Sequence, residues 1–126
     1  MNRAEFDRFT DLGLRKLACA IVREAAYSYL DAKKAIKVLD IELSYRQGED
    51  DEEGVDEINR LIIALNREIE LIVKFFNSRK LALLAPTLSP NAVIEALDRR
   101  ISKYDPWHDY AIWKKRDMKK KRKKHE

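Results

Sequence analysis

Cysteine is nearly absent from this chain, and glycine and proline are scarce: one Cys, three Gly and three Pro in 126 residues. A single thiol excludes an intramolecular disulfide and suits a reducing compartment. Cys19 sits in the apolar stretch LACAIV, which predicts a small buried hydrophobe. One Cys and two distant His exclude a zinc site. The chain also lacks GxGxxG, a phosphate loop and GxSxG, so nucleotide cradles and serine-hydrolase elbows are without their glycines. No apolar run approaches the ~20 residues of a membrane helix. The N-terminus MNRAEFDRFTDLG carries acidic residues and no apolar segment, unlike a secretory signal. The expected location is the cytoplasm.

Charge and aliphatic residues are abundant, with 38% charged and 45% hydrophobic positions. With so few breakers, that balance predicts an all-α domain of long, solvent-laced helices. The net charge of +4 conceals a division. Nine of the 26 Lys/Arg and two of the 22 Asp/Glu lie in residues 114–126, a net of +7; the other 113 residues, with 17 basic and 20 acidic, carry −3.

Apolar residues recur at spacings of three and four from Leu14 to Leu43, predicting one helix over residues 12–46. Phe6 and Phe9 before it suggest a short turn folded back on the core. Seven acidic residues between Glu49 and Glu57, with Gly48 and Gly54 nearby, predict an exposed acidic loop over about 47–56. Tested as a calcium loop around Gly54, the stretch fails, because Arg60 falls where a bidentate Glu is required.

The next helix has the clearest pattern: Val55, Ile58, Ile62, Leu65, Ile69, Ile72 and Phe76 alternate steps of three and four, a heptad seam. Leu61, Leu71, Val73 and Phe75 widen the apolar surface, placing this helix centrally or against a second subunit as a homodimer. Ser89–Pro90 and Asp105–Pro106 are helix starts, a capping side chain followed by a proline at the first turn. The helix after Ser89 buries Val93, Ile94, Leu97 and Ile101, and the last helix turns Trp107, Tyr110, Ala111 and Met118 to one side. The expected fold is four to five helices built on a long antiparallel hairpin, a domain of residues 1–113. The basic tail, 114–126, either continues the last helix or is disordered.

No catalytic set emerges. His108 beside Asp109 lacks a partner for acid–base work, and Glu68 and Glu70 point to different helix faces. The reading is a non-enzymatic protein with no cofactor and no metal. The basic end is the informative part: Trp113 leads into Lys114, Lys115, Arg116, Lys119, Lys120, Lys121, Arg122, Lys123 and Lys124, stacking surface running into phosphate-seeking charge. Lysine outnumbers arginine there, which favours nonspecific backbone contact with DNA or RNA over base reading. The alternative is a protein-docking role, with Glu49, Asp50, Asp51, Glu52 and Glu53 as a nucleic-acid mimic or the tail as a clamp.

Two stretches, AIVREAAYSYLDAKK and FFNSRKLALLAPTLSPNAVIEALDRR, carry a family likeness. With Phe75, Phe76, Ser78, Leu81, Leu84, Pro90, Val93, Ile94 and Leu97 in pattern, the chain resembles small helical proteins encoded by phages and prophages of Gram-positive bacteria. Lys80 and Ala85 depart from that pattern, which has an aromatic residue and Thr there. The resemblance covers roughly a third of the chain. It implies a mobile-element accessory protein in the bacterial cytoplasm that acts by binding nucleic acid, a nucleoprotein or a host protein; an inhibitor of host defence, anti-CRISPR-like, belongs to that range.

Overall fold

The structure is a computed structural model that describes the backbone of residues 3–125 and the side chains of residues 16–120. The described chain is all-α: α1 Arg3–Gly48, α2 Glu52–Phe76, α3 Arg79–Leu84, α4 Pro90–Ser102 and α5 Trp107–His125. α1 alone, 46 residues, is about 69 Å long at 1.5 Å per residue. It begins earlier than the apolar periodicity indicates. The backbone is helical from Arg3 onward, without a separate turn ahead of residue 12; the side chains of Phe6 and Phe9 lie outside the described residues.

α2 runs back along α1 and makes the long hairpin. Its seam is the buried one: Ile58, Ile69 and Phe76 are buried, and Val55, Ile62, Leu65 and Ile72 are half-buried. Tyr29, Leu30 and Ala32 of α1 meet Ile69 of α2 and Leu97 and Ile101 of α4 in one core. α1, not α2, is the central element, since α2, α3, α4 and α5 all pack on it. The apolar breadth of α2 divides: Val73 and Phe75 are half-buried, whereas Leu61 and Leu71, with Ile63, are left between 46% and 65% exposed. The chain accordingly exposes 10082 Å² where a compact protein of 14.8 kDa exposes about 7,000 Å².

The acidic stretch is only partly a loop. Glu49–Asp51 connect the hairpin; Glu52 and Glu53 form the first turn of α2, where the helix macrodipole favours them. Asp50 adopts a left-handed conformation, φ 56°, that Asp tolerates better than most residues. Asp51 caps α2 by accepting from the Gly54 amide at 3.0 Å. Gly54 is a packing glycine and not a loosening one: a Cβ there would stand 2.1 Å from Asp51 Oδ2 and 2.8 Å from Arg46 Cδ.

Ser78 and Ser89 cap α3 and α4, with Pro90 at the first position of α4. In α4, Leu97 and Ile101 are buried and Val93 and Ile94 half-buried. At the next start the Asp105 carboxylate accepts from the Trp107 amide at 3.1 Å. Cys19 is exposed, contrary to the reading of LACAIV. The stripe of α1 that faces the body passes through Ala18, Val22 and Ala25 to Tyr29, and Cys19 lies about 100° away from Ala18 on the helix.

Candidate nucleic-acid interface

The inner face of α5 is set by a buried carboxylate. Glu42 of α1 is 1% exposed. It accepts from Lys114 Nζ at 2.7 and 3.1 Å, from the Tyr110 hydroxyl at 2.8 Å and from Arg46 Nε at 2.9 Å. Arg46 in turn donates to the Gly54 carbonyl at 3.1 Å and to Glu57 at 3.2 Å. One carboxylate thereby ties α5 to α1, and its arginine partner ties α1 to the start of α2. Burial alone would push the Glu42 carboxyl up, but donation from Lys114, Arg46 and Tyr110 prevails and holds it below the usual carboxylate range. Burial and the same carboxylate push the Tyr110 phenol up to about 12.

This clamp rotates α5 relative to the sequence reading. Tyr110, Trp113, Lys114 and Asp117 are half-buried and share one helical face, while Trp107, Ala111 and Met118 are exposed. A cation, Lys114, occupies the position toward α1 because Glu42 waits there. Its ammonium also lies 4.9 Å from the centre of the Tyr45 ring. Trp107, Tyr110 and Trp113 form a ladder with 6.1 Å between successive ring centres.

Lys115, Arg116, Lys119 and Lys120 are exposed and none forms an ion pair with a described residue. They fall as two pairs four residues apart, each pair about 6 Å along the helix axis. The helical backbone of α5 continues through Lys121, Arg122, Lys123 and Lys124, whose side chains lie outside the described residues. The ten basic-end positions singled out from sequence therefore divide. Trp113 and Lys114 are held inward as structure, and the accessible aromatic is Trp107, 62% exposed.

Of the acidic set, Glu49, Asp50, Asp51, Glu52 and Glu53 are all exposed, at the end of the hairpin that α5 approaches. The link is Tyr45, whose phenol is pushed up by the neighbouring Glu49 carboxylate and whose ring faces Lys114. Sequence reasoning missed Glu42 and Arg46. Their signal was present as two charged residues three and seven positions after Leu39, on the stripe the apolar residues mark as inward.

No family model, curated protein or solved structure matches the chain. Among the described residues no three His, Cys, Asp or Glu could hold a metal ion together, and no helix is long and apolar enough to cross a membrane.

Proposed function

We propose that the protein is a non-enzymatic binding protein, a phage or prophage accessory factor that engages DNA, RNA or a nucleoprotein through the outward side of α5. The observation that carries this reading is the division of α5. Its inner face is fixed by Glu42, and that anchorage leaves Lys115, Arg116, Lys119 and Lys120 directed to solvent, with exposed Trp107 eight residues ahead of the first of them on the same helix. A helix so anchored presents its cations without further ordering, which lowers the entropic cost of binding. The cations bind by releasing condensed counterions from phosphate, a term independent of sequence, and Trp107 adds a surface on which an unpaired base can stack.

The test leaves the clamp intact. The full chain and a variant with Lys115, Arg116, Lys119 and Lys120 changed to Gln are titrated into labelled duplex DNA, single-stranded DNA and RNA. The reading expects the parent to bind and the variant to bind at least tenfold more weakly, since four cations no longer neutralise phosphate. Equal binding by both, or no binding by the parent at low salt, rejects it. In the latter case the protein-directed alternative, with the acidic Glu49–Glu53 segment or the basic end as the docking element, takes its place.

A further inference from the structure

A second site lies at the other end of the molecule, on α1 beyond the end of α2. There α1 and the connection after α3 enclose a groove of about 670 Å³. Ala18, Cys19 and Val22 form one wall and Leu84, Pro86 and Leu88 the other, with Arg23 at the edge. The volume lies in the range of ligand and peptide grooves, and the lining is aliphatic. Apolar surface continues out of it. Leu83, just before the connection, is 77% exposed, the most open large aliphatic side chain described.

Among the described residues, the charges on the α1 face that carries Cys19 are of one sign. Lys16 and Arg23 are both exposed, stand seven residues apart and share a helical face with Cys19. They are two turns apart, about 10.5 Å along α1. Neither forms an ion pair with a described residue. Across the groove, Arg79 and Lys80 open α3 one turn before Leu83 and Leu84, and both are exposed. A second copy docked about a two-fold axis through the groove would bring the same cations to the same rim. A nucleic acid would meet cations but leave the aliphatic walls unmatched.

We infer that this groove docks an acidic amphipathic helix of a partner protein, whose apolar stripe fills the trough while carboxylates two turns apart pair with Lys16 and Arg23. Such helix-in-groove recognition reads apolar anchors at spacings of three and four, and rim charges select the partner and set its register.

Cys19 supplies the readout, since it is the chain's only thiol and lines the groove. The probe is an end-capped peptide of about 18 residues, five helical turns, with leucines at three–four spacing and glutamates elsewhere. A twin carries lysine at every glutamate. Maleimide labelling of Cys19 in the full chain is timed with each peptide, in the parent and in Arg23→Glu and Leu83→Glu, both changes at exposed positions. The glutamate peptide should slow labelling and the lysine twin should not. Arg23→Glu should raise the peptide concentration needed by roughly tenfold, as for a rim charge reversed against its partner, and Leu83→Glu should also weaken protection. Unchanged labelling at millimolar glutamate peptide overturns the inference, as does equal protection by the lysine twin. Protection without peptide that grows with protein concentration would assign the groove to a second copy, and protection by laurate alone would assign it to a small amphiphile; either contradicts the proposal.

Discussion

Glu42 shows how a single residue can decide the orientation of a helix. A carboxylate buried on the inner stripe of α1 is tolerated only because three donors satisfy it, and removing one partner of a buried ionic group leaves the others uncompensated. Replacing Glu42 by Gln should therefore cost about 3 kcal/mol in urea-induced unfolding at neutral pH. The pH dependence has a definite sign. Because the folded carboxyl is held below its ordinary range, its contribution is present above the unfolded value of about 4.3 and fades as pH falls through the lower folded value. The difference in stability between parent and Glu42→Gln should shrink steadily below pH 4; a constant gap down to pH 3 would remove Glu42 from that role. Gly54 offers a second residue-scale case. Alanine would raise local helix propensity by nearly 1 kcal/mol, yet its Cβ would collide with the capping Asp51 and the stem of Arg46. We expect Gly54→Ala to destabilise by ~1–3 kcal/mol, the range of overpacking, and calorimetry showing an unchanged or higher Tm would refute the packing argument.

Elements are legible from sequence where one physical signal governs them. The α2 seam is readable because seven apolar residues keep a strict alternation, and Ser89–Pro90 because a hydroxyl acceptor followed by a fixed φ has few other uses. The acidic loop is shorter than charge repulsion alone suggests, because a helix N-terminus attracts Glu52 and Glu53 into its first turn. The face of α5 differs from the sequence reading for a related reason. Hydrophobicity alone turns the aromatic residues inward, whereas Glu42, 68 and 72 residues away from Tyr110 and Lys114, selects those two side chains. Long-range polar pairing leaves no periodicity to read. Docking of α5 should accordingly respond to alkali. The phenol of Tyr110 must stay protonated to donate to Glu42, so its contribution is intact below pH 10 and is lost as pH rises through about 12. Tryptophan fluorescence should show half-buried Trp113 becoming more solvated over that interval, and Tyr110→Phe should diminish the change, leaving the part due to Tyr104, whose phenol donates to Asp109 of α5 and is likewise pushed up to about 12.

At the scale of the whole molecule, one long helix carries four others along its length and leaves much apolar and charged surface open. The hairpin end gathers the acidic connection, the buried ionic cluster and the root of the basic helix; the far side of α2 offers Leu61 and Leu71 without cover. That uncovered face supports a proposal of homodimerisation through α2. Light scattering should then show a concentration-dependent dimer that Leu71→Glu disperses, and a strictly monomeric parent at high concentration would exclude it. Under the proposed function, the solvent-facing cations of α5 bind phosphate while Lys114 holds the helix in place. The most direct test is the affinity for duplex DNA measured across a salt series. Log K should fall with log[salt] with a slope of roughly 4 or more, and changing Lys115, Arg116, Lys119 and Lys120 to Gln should flatten that slope by about 3 to 4, at near 0.9 for each phosphate no longer neutralised. A slope unchanged by those four substitutions would contradict it.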